Sequence, residues 1–311
     1  MPNSDLLVSI VTPSFNSMPY IKETVRSVQE QDYPNIEHIV MDGGSTDGTI
    51  EFLESQKHLI WKSEPDRGQS HALNKGFQLA KGEIIGWLNS DDIYEPGAVS
   101  LAKEYLQNNS EIDIVYSDLI IIDQYGNVLG KTRSDYFELG KLLRDNFVKQ
   151  PTVFMRRKVI DETNGVDESL QYVMDREFWL RAGLKGFRMH YLADREFAKF
   201  RYIPGTKSFN LSAEFHKEWY QVLEKTLQNP KFSTLSTIKK TRLLRLTKSA
   251  YHFGLMRNAI VDKERKIFLT EFFKSISLNP LLLFNRGTWL FFYSGIIGKN
   301  IDQLRKFEKF V

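Results

Sequence analysis

The stretch Ile84-Ile85-Gly86-Trp87-Leu88-Asn89-Ser90-Asp91-Asp92 passes in one step from apolar residues to an amide, a hydroxyl and two carboxylates. The same step occurs three times before it: Val8-Ser9-Ile10-Val11-Thr12 into Pro13-Ser14-Phe15-Asn16, Ile36 to Met41 into Asp42-Gly43-Gly44-Ser45, and Leu59-Ile60-Trp61 into Glu64-Pro65-Asp66. Short, β-branched apolar runs of this kind read as buried strands. Between them lie segments of helical spacing, such as Ile21, Val25 and Val28. The alternation predicts an α/β fold around a largely parallel sheet. It also gathers acceptors at one rim, beyond the strand ends where open α/β sheets bind ligands.

Working outward, helices are expected over 20–29, from Thr46 (with Ile50, Phe52 and Leu53 inward), from Ser70 as N-cap (with Ala72, Leu73, Phe77, Leu79 and Ala80 inward), and from Pro96-Gly97 through Leu101, Tyr105 and Leu106. Strands are expected over 37–41, 59–62, 84–88 and 112–116. The runs 119–123 and 128–131 around Gln124-Tyr125-Gly126-Asn127 read as a hairpin, which makes the sheet mixed. A strand over 152–155, a helix over 175–182 and a strand over 189–192 follow. After Pro204-Gly205 the strand signals stop, so the chain divides into modules 1–208 and 209–311.

With 311 residues and 41% hydrophobic content, the chain can bury a sizeable core. It has no cysteine, which excludes disulfides, thiolate metal sites and a cysteine nucleophile, and makes a reducing cytoplasm the simplest compartment. The opening Met1-Pro2-Asn3-Ser4-Asp5-Leu6-Leu7 lacks the pattern of a signal peptide, so secretion is not expected. The net charge of +3 hides an asymmetry: residues 211–311 carry 18 Lys or Arg against 8 Asp or Glu, and residues 1–210 carry 24 against 31. An acidic body without a nucleic-acid-reading motif predicts no nucleic-acid partner. No His-x-x-x-His and no Gly-x-Ser-x-Gly occurs, which excludes the usual zinc-hydrolase and serine-hydrolase signatures.

Paired carboxylates past a buried strand, Asp91 and Asp92, suit a hard divalent cation such as Mg²⁺ or Mn²⁺ that also holds phosphate oxygens. Capping of the next segment is the other use such residues have. In Asp42-Gly43-Gly44-Ser45-Thr46-Asp47-Gly48-Thr49 the glycines allow close backbone approach, and the Asp42 carboxylate stands where a base or ribose could donate to it. A plain structural turn is the alternative.

Those motifs, with Glu64-Pro65-Asp66-Arg67-Gly68-Gln69-Ser70 and Ala72-Leu73-Asn74-Lys75-Gly76, together resemble the family 2 glycosyltransferases of GT-A fold over about residues 7–207. The resemblance implies an inverting transferase that moves a sugar from a nucleoside-diphosphate sugar to an acceptor hydroxyl. Ser14, Asn16, Asp42 and Asp66 would line the nucleoside pocket, with Pro13, Gly68, Asn74, Asn89 and Ser90 in the same donor site. Asp91 would bind Mg²⁺ or Mn²⁺, and Asp92 would lie near the donor sugar. Leu170-Gln171-Tyr172-Val173-Met174-Asp175-Arg176-Glu177-Phe178-Trp179-Leu180-Arg181 looks like the start of the family's catalytic helix. That makes Asp175 the general base, with Glu177 as fallback. Gln150 to Arg157 would border the acceptor, and Phe200 to Ser208 would form a closing loop whose Arg201 and Lys207 neutralise diphosphate. Two positions depart from the family pattern: Asn89 opens the Asp-x-Asp signature, and Ile203 stands where many relatives have a metal-binding His. Both imply weaker metal binding or a greater load on Arg201 and Lys207.

From Lys225 to Val261 there are eight Lys or Arg and no Asp or Glu, interleaved with Leu235, Ile238, Leu243, Leu244, Leu246, Tyr251, Phe253, Leu255 and Met256. Such a segment can lie on an anionic bilayer or can bury its apolar residues as a helical subdomain. The uncharged stretches 275–285 and 287–298 are too short to span a membrane, which takes about 18–20 residues. The expectation is a hexosyl- or N-acetylhexosaminyltransferase, peripheral on the cytoplasmic membrane face, acting on a glycan or lipid-linked acceptor in cell-surface polysaccharide assembly. A non-catalytic sugar-nucleotide-binding relative or scaffold is the alternative. Oligomeric state is not legible.

Overall fold

A computed structural model describes residues 6–203 and 212–297. The chain divides into two compact units, Met1–Ile203 and Pro204–Val311.

The first unit runs β1 (Val8–Ser14), α1 (Ile21–Gln29), β2 (Ile36–Asp42), α2 (Thr49–Ser55), β3 (Ile60–Ser63), α3 (Gln69–Leu79), β4 (Ile84–Trp87) and β5 (Ile93–Tyr94). It continues through α4 (Ala98–Asn108), β6 (Ile114–Ile122), β7 (Val128–Thr132), α5 (Leu139–Leu142), a 3-10 turn (Gln150–Thr152), β8 (Phe154–Arg156), α6 (Arg157–Thr163), α7 (Met174–Lys185) and β9 (Met189–Arg201). The strands form one mixed sheet in the order β3-β2-β1-β4-β8-β6-β9-β5, with β7 added against β6. β3, β2, β1 and β4 are parallel, β8 runs antiparallel to β4 and β6, and β9 returns parallel to β6.

β1 is buried at every position because both faces of the sheet are covered. Ile10 joins a core with Val28, Val99 and Leu106, while Val40 packs with Ile21, Val25 and Leu53 of α1 and α2. On the opposite face α3 lies on β1 and β2, and Gly76 allows the close approach: a Cβ there would run into Val11 and come within 3.3 Å of Met41. Pro13 is tolerated in this strand because β4 pairs with β1 only as far as Val11, so the missing N–H falls beyond that ladder.

Several expectations shift. α3 begins at Gln69 after Gly68, so Ser70 is not an N-cap but a buried residue of the first turn. Leu79 and Leu101 are exposed. α4 instead buries the smaller Ala98, Val99 and Ala102 against the sheet. The runs expected as two strands over 112–116 and 119–123 form one long β6, because β9 pairs along its whole length across irregularities near Asp118.

The described part of the second unit is helical: α8 (Ser212–Thr226), α9 (Thr237–Val261), α10 (Arg265–Leu278) and α11 (Arg286–Ile297), with 3-10 turns Pro230–Phe232 and Pro280–Phe284. Met256, Ala259, Phe268 and Phe272 form its core with Phe253, Phe291 and Phe292. Gly254 lets α9 close on α8, since a Cβ there would stand 2.7 Å from the Ala213 backbone. The basic, apolar segment thus buries part of its apolar set, whereas Ile238, Leu246, Leu281, Phe284, Trp289 and Tyr293 stay exposed. Among the described residues no helix is long and apolar enough to cross a membrane.

Candidate active site

The four parallel strands end side by side, and the turns that follow are tied to one another by side chains. Asn16, held at a φ of 47°, accepts from the Thr46 N–H (2.9 Å), and its own N–H donates to Ser45 Oγ (2.7 Å). Asp47 accepts from the N–H groups of Met18 and Thr49. Ser14 donates to Ser17, which is joined in turn to Ser90 (2.7 Å). The loops after β1, β2 and β4 are therefore one hydrogen-bonded rim.

Asp42 is buried, and its carboxylate accepts from the N–H groups of Gly44 and Ser45, from Ser45 Oγ and from Ser63 Oγ. Three of these contacts fall on Oδ2 and one on Oδ1, so of the carboxylate's roughly four acceptor positions one is left on Oδ1. The group expected to receive a base or ribose also shapes its own turn. Asp66 is more open: Oδ1 accepts from Gly68 N–H (2.7 Å), and Oδ2 lies over Gly43, 2.7 Å from where a Cβ would be. Phe15, 63% exposed, borders the same glycine. The motif Pro13-Ser14-Phe15-Asn16 assigns Phe15 no role, and only its exposure beside Asp66 and Gly43 singles it out.

Asn89 is a junction. Its Oδ1 accepts from Gln69 Nε2 (2.8 Å) and Trp87 Nε1 (2.9 Å), and its Nδ2 donates to Gln150 Oε1 (2.9 Å). Gln150 Nε2 donates to the Trp87 carbonyl (2.6 Å), which fixes the orientation of its amide. An amide, not a carboxylate, is needed where one atom accepts twice and the other donates.

Asp91 is half-buried, and burial raises its carboxyl above the ordinary range while Arg201 pulls it down. Asp92, expected beside the donor sugar, faces the interior instead. It is fully buried, accepts from the Arg201 N–H (3.1 Å), and has its carboxyl raised by burial first and by Asp91 second. Arg201, expected on a phosphate-facing loop, is the last residue of β9 with a fully buried guanidinium. Lys207 lies outside the described residues.

No three of His, Asp and Glu among the described residues gather as a metal cage. Magnesium-type sites commonly use one or two carboxylates and take their other oxygens from substrate phosphates and water. Asp91 fits that donor set.

Asp175 stands in the first turn of α7, where Asn146 Nδ2 donates to its Oδ2 (3.0 Å). Burial raises this carboxyl, and Asn146 and Arg176 oppose the shift. Arg176 donates twice to the Leu142 carbonyl, and burial lowers its pKa to about 10. Glu177, the fallback base, is held by Arg181 through two N–H···O contacts of 2.8 and 2.9 Å.

The first turn of α3 joins the two halves of the site. Gln69 reaches Asn89, and the next residue, Ser70, contacts the Leu170 carbonyl (2.9 Å) and Met174 Sδ (3.0 Å) just before Asp175. Gly68 is overlain by Gln171, whose Oε1 would be 2.8 Å from a Cβ. Asn74, expected to touch the donor, braces the same segment by accepting from the Val166 N–H and donating to the Val166 carbonyl and Glu168.

A mixed sheet of this order with an acidic rim has the architecture of the GT-A glycosyltransferase fold, and solved structures agree on that fold. TarS of S. aureus with UDP-GlcNAc superposes at a TM-score of 0.63, with 19% identity over 98% of this chain and 91% of that one. A Pyrobaculum calidifontis mannosyltransferase in complex with GDP-Man and Mn²⁺ gives 0.60, with 17% identity over 96% and 86%. The chain belongs to glycosyl transferase family 2, whose model matches residues 9–163. An uncharacterized glycosyltransferase of Mycobacterium tuberculosis is 32% identical over 57% of this chain and 69% of its own. TuaG of Bacillus subtilis, a glycosyltransferase assigned provisionally to teichuronic acid biosynthesis, is 27% identical over 71% and 88%.

Proposed function

We propose that this glycosyltransferase moves a hexose or N-acetylhexosamine, with inversion, from a nucleoside-diphosphate sugar to a hydroxyl of a glycan or lipid-linked acceptor in surface-polysaccharide assembly. The observation that carries this reading is the brace through Gln69 and Ser70, which sets the Asn89–Asp92 turn and the Asp175 helix in one frame. The relatives named for teichuronic acid biosynthesis and for TarS with UDP-GlcNAc support the donor class and the pathway class.

In the proposed reaction, Asp175 takes the proton of the acceptor hydroxyl as its oxygen forms the bond to C1, and the C1–oxygen bond to the diphosphate breaks on the opposite side. Burial keeps Asp175 a stronger base than an exposed aspartate, and Asn146 holds the oxygen that does not take the proton. A divalent cation at Asp91, when bound, would offset the charge on the departing diphosphate. Phe15 offers a flat apolar surface for the base beside Asp66.

The second unit supports a peripheral site on the cytoplasmic membrane face. Trp289 and Tyr293 are exposed beside Arg286, Ile238, Leu246 and Leu281 beside Arg242 and Arg245, and Phe284 is exposed as well. The chemical reading is tested by the anomeric configuration of the product by NMR: inversion is expected, and retention contradicts a single displacement on Asp175.

A further inference from the structure

We propose that Arg201 is the positioning residue of the Asp91–Asp92 turn, setting the Asp91 carboxylate for a cation and diphosphate while touching neither. The proposal rests on the reading of Asp91 as the cation-binding residue.

Arg201 holds this turn from behind through its main chain and its side chain together. Its backbone N–H donates to Asp92 Oδ1 (3.1 Å), and its Nε donates to the Asp91 carbonyl (3.1 Å). The rest of the guanidinium is anchored elsewhere. Nη2 pairs with Glu23 Oε2 on α1 at 2.8 Å, Nη1 lies 3.4 Å from the carbonyls of Asp123 and Gln124 at the β6–β7 turn, and the group stacks 4.9 Å from the centre of the Tyr20 ring. One planar cation therefore locks the turn after β4 to α1 and to the hairpin.

A side chain with 0% exposure whose ion-pair partner is 54% exposed is an expensive arrangement for stability alone. Its return is geometric: Asp91 sits on a turn whose carbonyl cannot rotate without breaking the Nε contact. A lysine cannot reproduce it, because a single ammonium cannot reach partners on three sides. Groups that orient a metal ligand in this way are typically worth about 10–100-fold in affinity.

The test measures Mn²⁺ binding by calorimetry in the presence of UDP, GDP or dTDP, whichever the wild type binds, together with thermal midpoints. Arg201→Lys should remain folded, bind Mn²⁺ with the nucleotide about tenfold or more weakly, and lower kcat with the acceptor KM unchanged. Folded Arg201→Lys with wild-type Mn²⁺ affinity overturns the proposal. If Arg201→Lys does not fold, Glu23→Gln decides instead, since Glu23 is half-exposed: several-fold weaker Mn²⁺ binding supports the positioning role of Arg201 and unchanged binding overturns it. Asp91→Asn separates the two levels. If it abolishes Mn²⁺ binding while Arg201→Lys does not weaken it, only the role of Arg201 fails; if it leaves Mn²⁺ binding unchanged, the Asp91 reading fails and takes this proposal with it.

Discussion

Asn89 shows how one residue can look like a lost function and be a structural requirement. Replacing it with Asp would restore the acidic signature but set a carboxylate against Gln150 Oε1, whose amide cannot turn over because its Nε2 is committed to the Trp87 carbonyl. An unmet buried acceptor pair costs about 1–3 kcal/mol, so Asn89→Asp should lower the unfolding midpoint in urea and leave Mn²⁺ affinity no better than in the wild type. Asn146 offers a second test, by pH. The Asp175 carboxyl is already raised by burial, and the Asn146 hydrogen bond lowers it. A general base works ionised, so activity should climb as pH rises through that raised pKa. Asn146→Ala removes an opposing influence, so the acid limb of kcat/KM should move to higher pH. Arg176, Lys149 and Asp145 remain as charged neighbours, and an unmoved limb would take Asp175 out of the role of base.

Among the elements, α3 has the widest reach, because its first turn faces both the β4 turn and the approach to α7. Gln69→Ala should therefore lower kcat about 5–50-fold with a stability loss of about 1 kcal/mol, read by steady-state kinetics beside denaturant unfolding. The strands and most helices were legible because period and turn chemistry are local: Ile21, Val25 and Val28 are buried as their spacing requires. The N-terminus of α3 was misread because Gly68, at a φ of 111°, opens the helix before the serine that resembles a cap. In the candidate site, the motifs gave positions but not directions. Asn74, Asp92 and Arg201 each turn toward protein partners far along the chain, and Arg201, expected in a loop, ends β9. No local pattern encodes such pairings, and neither does it encode the Gln69–Asn89–Gln150 junction.

At the scale of the whole molecule, the two units carry different charge and different surfaces. The second unit has its own aromatic core and still exposes Phe284 at 86% and Leu281 at 65%. Pelleting with vesicles should therefore depend on anionic lipid and weaken with salt, and Phe284→Ser with Trp289→Ser should reduce it several-fold; equal recovery with neutral vesicles and with none would remove the membrane reading. The central claim is catalysis at the first unit, and release of nucleoside diphosphate from a panel of UDP-, GDP- and dTDP-sugars tests it most directly, with Mn²⁺ and an acceptor extract, for wild type and Asp175→Asn. One donor class should turn over, and Asp175→Asn should lose about 100-fold or more in rate while the donor still raises its thermal midpoint. Donor binding without release of diphosphate from any sugar nucleotide, or an Asp175→Asn variant as fast as wild type, would contradict it.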